Sequence, residues 1–229
     1  MTTKFALLSC ILPILGLATA HAAAEPPQPA YIVAYVDVLA SAAPRAAAAL
    51  KQYRDAARRE SGCVSVDVYS QRGRASGLAI TEVWRDSAAF DAHGKAAAAD
   101  TLRRELKPMQ LAPVDVRVHT AYSLVAPAAG RRNALTLLVH VDVFPSFAGD
   151  YERLVKRYIE DSRGESGLLR LDILQTLPPH TNHFTVIESW PDEAALQSHQ
   201  QTAGARAYRE ELARMLGALY DERTYTLID

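Results

Sequence analysis

Two glutamates stand two residues ahead of the chain's two tryptophans: Glu82 before Trp84, and Glu188 before Trp190. On a β-strand that spacing points both side chains to one face. A histidine follows each pair, His93 and His199, near the start of the next helix, from which its ring folds back over the strand. An imidazole held by a carboxylate is a usable general base near neutral pH, its reference pKa being about 6.5. An indole beside it would wall an apolar cleft. The same residues suit a plain structural role, with a Glu–His pair pinning strand to helix and Trp as core, and both readings stand. Tyr35 and His140 take matching places on another strand and share a face with Asp37 and Asp142. They either line a cleft or are satisfied interior polar groups.

The remaining reactive types point to less. His180 and His183 share a proline-rich loop, but two imidazoles without a nearby cysteine or carboxylate set do not make a metal site. Cys63 follows Gly62 at the start of a strand and reads as a small buried hydrophobe rather than a reactive thiol. Neither a glycine-rich phosphate loop nor a Gly-x-Ser-x-Gly elbow occurs. No metal or organic cofactor is therefore expected.

The elements that must position these residues come from a repeat. Shifted by 105 residues, Val36-Asp37-Val38 falls on Val141-Asp142-Val143, Lys51 and Tyr53 on Lys156 and Tyr158, and Glu60-Ser61-Gly62 on Glu165-Ser166-Gly167. One residue is then inserted. At a shift of 106, Glu82 and Trp84 fall on Glu188 and Trp190, Asp86 on Asp192, and His93 on His199. Self-similarity at a fixed period marks a duplicated unit. Within each copy, 31–38 reads as an apolar strand. A helix opening at Pro44 carries Ala46, Ala49, Leu50, Tyr53 and Ala57 at helical spacing and stops before Gly62. Val64, Val66 and Val68 alternate with polar residues as a half-buried strand. A strand over 78–84, a helix capped by Ser87 and broken near Gly94, and a strand over 114–123 follow. The order β-α-β-β-α-β is the ferredoxin-like unit. Such a unit leaves one sheet face bare. The economical cover is the other copy's sheet, giving an α+β fold of two ferredoxin-like units packed sheet to sheet as one intramolecular barrel.

Residues 1–22 read as a cleaved secretory signal peptide: Lys4, a greasy run from Phe5 to Leu17, then small residues. That run is too short for a membrane span, so no membrane partner is expected after cleavage, and the mature protein is periplasmic or secreted. Cys10 leaves with the leader, so Cys63 has no disulfide partner. A proline-rich linker fills 23–30, the first domain 31–126, a small polar linker 127–133 and the second domain 134–229. Balanced charge, 25 Lys+Arg against 26 Asp+Glu for a net −1, gives no pull toward nucleic acid.

The strings ESGCVSVDVY at 60–69 and TEVWRDSAAFDAH at 81–93 resemble the antibiotic biosynthesis monooxygenase (ABM) family, whose pattern is a Pro/Ser-Gly pair opening strand two, Glu-x-Trp ending strand three, and a small-residue helix carrying His. The second copy repeats it as ESGLLRLDIL at 165–174 and IESWPDEAALQSH at 187–199. The resemblance implies the dimeric α/β-barrel superfamily, which includes quinol and anthrone oxygenases, haem-degrading enzymes, isomerases and members without known activity. It implies a cofactor-independent oxygenase with O2 as co-substrate, in which an electron-rich phenol is deprotonated and passes an electron to O2 in a dry cleft. His93 or His199 would be the base, Glu82 and Glu188 would orient the imidazoles, and Trp84, Trp190, Tyr35 and His140 would meet a small aromatic or quinol-type substrate. Some anthrone enzymes carry Asn four residues before the Trp; here those places hold Ile80 and Val186. The haem-degrading branch has Asn and His where this chain has Ala34 or Val139 and Arg103 or Arg209, none of them an iron ligand. The alternative from a different class is a non-catalytic module that binds an apolar small molecule in the cell envelope. Single-copy relatives dimerise to complete the barrel. Here one chain supplies both halves, so a monomer suffices, with homodimer pairing through outer edges left open.

Overall fold

A computed structural model describes residues 28–125 and 134–229. The expected leader at 1–22, most of the 23–30 linker and the 127–133 linker lie outside the described residues. The first repeat forms β1 (Ala30–Asp37), α1 (Ala43–Ala57), β2 (Cys63–Gln71), β3 (Gly77–Trp84), α2 (Ser87–His93), α3 (Ala97–Leu106) and β4 (Asp115–Val125). The second forms β5 (Leu135–Asp142), α4 (Ala148–Ser162), β6 (Arg170–Thr176), β7 (His183–Trp190), α5 (Glu193–Gln200), α6 (Ala203–Leu212) and β8 (Asp221–Leu227).

The eight strands close into one antiparallel barrel in the order β1-β3-β2-β8-β5-β7-β6-β4. The halves do more than stack. The last strand of each pairs with its own first strand and with the second strand of the other half, β4 with β1 and β6, β8 with β5 and β2. Each described strand has a neighbour on both sides, β2 meeting β8 over Tyr69–Gln71.

Strand alternation sorts side chains into three cores. Ile32, Ala34 and Val36 of β1 join Leu50, Tyr53, Val66, Val68, Ile80, Trp84 and Leu106 between sheet and helices. Leu137, Val139, Val141, Tyr158, Ile173, Val186, Trp190 and Tyr208 do the same in the second half. The opposite faces meet inside the barrel, where Tyr31, Val33, Tyr69, Ala79, Leu138, Leu174, Ile187 and Tyr225 form a shared core. This changes the reading of β2. Asp67 and Tyr69 are buried along with Val66 and Val68, while Val64 is 64% exposed beside a register shift between Cys63 and Ser65. Cys63 itself is half-buried and packs on the first core.

Local signals act as expected with one correction. Pro44 lies in the first turn of α1. Gly62 has φ of +90° and Gly167 +92°, the left-handed region that favours glycine. A Cβ on Gly62 would also lie 2.6 Å from the Ala89 Cβ, so the turn into β2 requires glycine twice over. The cap of α2 is Asp86, not Ser87: its carboxylate accepts from the Ala89 N–H at 2.7 Å, and Asp192 accepts from Ala195 at 2.9 Å in the second half.

The barrel interior also holds His119, whose Nε2 meets Thr185 Oγ1 at 3.0 Å and whose Nδ1 has no partner. Burial, with help from the Arg117 charge, pushes this imidazole down to about 4. Below pH 6.5 the unfolded chain takes up a proton that the folded chain refuses until about pH 4. Stability is therefore expected to fall as pH drops through that window, by up to about 3 kcal/mol from this group. Urea denaturation of His119→Gln should show a flatter dependence between pH 6.5 and 4 than the unsubstituted protein; identical slopes would exclude His119 as the source.

Candidate active site

The expected residues come together, through partners the expected pairing lacked. Glu82 and Trp84 share the helix-facing side of β3, and the indole Nε1 donates to Glu82 Oε2 at 2.7 Å. The other Glu82 oxygen accepts from the hydroxyl of Tyr53 on α1. That same hydroxyl lies 2.7 Å from His93 Nε2, and His93 Nδ1 lies 2.9 Å from Glu60 Oε2. Trp84 stacks on the imidazole at 4.4 Å with 25° between planes. The result is one chain of groups, Glu60–His93–Tyr53–Glu82–Trp84. Glu82 and His93 are 4% and 3% exposed.

Three corrections follow. The carboxylate that orients His93 is Glu60, and Glu82 reaches the imidazole through Tyr53. His93 closes α2 as its last residue rather than lying near the start of the helix, which brings it back toward Glu60 beyond the end of α1. Trp84 is fully buried, as is Trp190. Neither walls a cleft; each backs the imidazole and donates to the glutamate. Tyr53 and Glu60 carry roles that local spacing did not assign, although both are identical in the two repeats.

Proton counting defines what the chain can do. Glu60, His93, Tyr53 and Glu82 are joined by three contacts, and each contact needs one proton. A neutral imidazole and a phenol bring two. With Tyr53 donating to Glu82, the third lies between His93 and Glu60, so the chain as a whole can hold or release one proton. Burial first, then the Glu82 charge, push Tyr53 far above the usual phenol range. It therefore stays a phenol near neutral pH, placed so that it could pass a proton between His93 and Glu82.

Tyr53, Glu82 and His93 line a cavity of about 540 Å³ between sheet and helices, within the size range of small-molecule sites. Its walls are apolar, among them Ile32, Ala34, Ile80, Phe90 and Leu102, and the exposed side chains of Arg103 and Lys107 border it. Tyr35 and His140 are not on this cavity. Both point into the barrel, where Tyr35 lies between the guanidinium groups of Arg117 at 5.1 Å and Arg223 at 5.4 Å. Burial and then the Arg117 charge lower the pKa of His140.

The second half keeps the chain but sets larger side chains in front of it. Glu165 meets His199 Nδ1 at 2.8 Å, His199 Nε2 lies 2.9 Å from the Tyr158 hydroxyl, and Tyr158 donates to Glu188 at 2.5 Å. Trp190 Nε1 reaches Glu188 at 3.4 Å, and Glu188 lies 3.8 Å from His199 Nε2. At the place of Leu102, however, stands Tyr208, buried and stacked on Tyr158 at 4.1 Å. Its hydroxyl lies 3.1 Å from that of Tyr151. Tyr220 replaces Val114 and Val139 replaces Ala34, and both pack into the second core. Of the two imidazoles, His93 lines the cavity of about 540 Å³ described above, whereas His199 has Tyr158 and Tyr208 packed before it.

Residues 29–104 and 134–211 match the family described as Antibiotic biosynthesis monooxygenase. The Bacillus subtilis (strain 168) protein named "Putative monooxygenase YcnE" is 25% identical over 87 residues, spanning 38% of this chain and 90% of that protein. Among solved structures, a "Putative monooxygenase" of Fusobacterium nucleatum aligns with a TM-score of 0.79 at 15% identity, over 89% of this chain and 94% of its own. Another from Lactobacillus acidophilus NCFM gives 0.73 at 17%, over 87% and 94%. At those identities the two structures speak for the fold alone.

If Tyr208 is what closes the second half, Leu102→Tyr should close the first. Titration with 1-naphthol is expected to weaken at least about tenfold in that variant, with the melting temperature held or raised. Unchanged naphthol binding would place the ligand elsewhere.

Proposed function

Because this chain belongs to the antibiotic biosynthesis monooxygenase family, we propose that its first half oxygenates a small aromatic or quinol-type substrate, with O2 as co-substrate and without a resident cofactor. The observation that carries this reading is the buried Glu60–His93–Tyr53–Glu82 chain opening onto an apolar cavity of about 540 Å³. The base form of the chain takes the phenolic proton at its cavity face, between His93, Tyr53 and Glu82. The apolar walls hold the substrate ring and exclude water, so the phenolate is left electron-rich. The phenolate passes an electron to O2, and the two radicals recombine at a ring carbon. One oxygen atom stays on the ring as hydroxyquinone and the other leaves as water. The quinol supplies all four electrons, so the balance needs no external reductant. Arg103 and Lys107 at the border suit an anionic or phenolic entrant. The leader-like run at 1–22 supports a site of action outside the cytoplasm.

One observation favours a second reading. The same chain of groups persists around His199, where Tyr208 fills the space, so it has structural value without a substrate. On that reading the first cavity binds an apolar small molecule without turnover.

An oxygen electrode separates the two with a panel of quinols and phenols. Oxygen uptake is expected with quinols, and His93→Ala or Tyr53→Phe should lower the rate about 10²- to 10⁴-fold, while His199→Ala leaves it within about twofold. Thermal stabilisation by the same compounds with no uptake would replace the oxygenase by the binding module.

A further inference from the structure

At one end of the barrel the inward faces of β1, β4, β5 and β8 carry a charge set that follows the internal two-fold. Asp115 and Arg117 on β4 pair at 2.8 Å, Asp221 and Arg223 on β8 at 2.7 Å, and Asp37 at the end of β1 pairs with Arg74 at 3.0 Å. The fourth carboxylate, Asp142, is the repeat partner of Asp37, and its surroundings have been rewritten. His140 stands where the first half has Tyr35, His183 where it has Gly77, and the loop that carries Arg74 is replaced by Pro178-Pro179-His180. Among the described residues no arginine lies within ion-pair reach of Asp142. Its near neighbours are His140 Nε2 at 2.9 Å and His183 Nδ1 at 3.3 Å.

Strand geometry makes this cluster. His140 and Asp142 are two apart on β5 and share a face, and His183 on β7 is registered directly opposite Asp142. The three ligand atoms lie within 4.8 Å of one another. The contacts are close without being hydrogen bonds: Asp142 Oδ1 is buried and receives none, and His140 Nδ1 has no partner either. Separations of 2.9 and 3.3 Å match the spacing of adjacent ligand atoms around an ion bound at about 2.0–2.1 Å. The side chains are open enough for entry, His183 being 34% exposed and Asp142 21%.

We propose that His140, Asp142 and His183 form a binding site for a divalent transition-metal cation of the zinc class. Two imidazoles and a carboxylate select such an ion over calcium or magnesium and leave further positions for water or a ligand. The neighbouring Arg117 and Arg223 make their close ion pairs with Asp115 and Asp221 and none with Asp142, on which Arg117 acts only at longer range. The site lies inside the barrel, on the opposite sheet face from the His93 cavity, and stands whether or not that cavity is catalytic. The His180–His183 pair looked incomplete in the sequence because its partners come from β5.

The test uses tag-free, chelator-treated protein titrated with Zn²⁺ by calorimetry and with Co²⁺ by visible absorption. One ion per chain is expected. His140→Ala and Asp142→Asn should each weaken binding at least about tenfold, and His93→Ala should leave it unchanged. Carbethoxylation of the unsubstituted protein, mapped by mass spectrometry, provides a readout that needs no variant: Zn²⁺ should protect His140 and His183. Absence of binding, binding that survives both substitutions, binding lost with His93, or no protection of these two histidines would each overturn the assignment.

Discussion

Neither sheet of this protein can be left alone. Each four-stranded half covers one face with its helices and has only the other half for the second face. The shared core of Tyr31, Val33, Tyr69, Ala79, Leu138, Leu174, Ile187 and Tyr225 exists only when both are present. The crossing of β4 and β8 into the opposite sheet then converts face-to-face packing into a continuous ladder. Everything on the outer side of the barrel depends on this, because a β3 strand clamped between β1 and β2 is what holds Glu82 and Trp84 still while α1 brings Tyr53 and Glu60 over them.

The buried polar chain is costly to desolvate and is tolerated because its members satisfy one another. Each of the two glutamate oxygens of Glu82 has a donor, each nitrogen of His93 has a partner, and the tryptophan that stacks on the imidazole also donates to the glutamate. Such an arrangement fixes strand, helix and helix end in one register, which accounts for its survival in both halves. The difference between halves lies in what stands in front of it. Leu102, Val114 and Ala34 border the cavity in the first half, and the larger Tyr208, Tyr220 and Val139 stand at their places in the second.

The fold was legible because it was written twice. Matching tryptophans, matching Ser-Gly turns and matching strand patterns led to the ferredoxin-like unit and then to a pair of them closed on each other. The site was legible only in part. Glu82, Trp84 and His93 were marked by strand and helix spacing, but the choice of Glu60 as the partner of His93 joins residues 33 apart in the chain, which no local period reveals. Tyr53 was read as an apolar position of α1, which is true of its ring and silent about its hydroxyl. The repeat identities at Tyr53 and Glu60 were the available signal. Trp84 was placed on the correct face, but depth within that face depends on how far α2 reaches over it, and that is set by packing. Asp86 rather than Ser87 caps α2 for a related reason: both are cap formers, and the chain's exit from β3 decides which one is extended.

Joining the halves into one polypeptide has an effect on heredity as well as on shape. Where two copies of one gene product meet about a symmetry axis, any codon change appears on both sides at once, and facing residues must be compatible with themselves. In this chain Tyr35 and His140 face each other's territory across such an axis, yet they are encoded separately. One position holds an imidazole and the other a phenol clasped by two guanidinium groups. Fusion thus frees the barrel from self-complementarity, so its two sides need not carry the same residues.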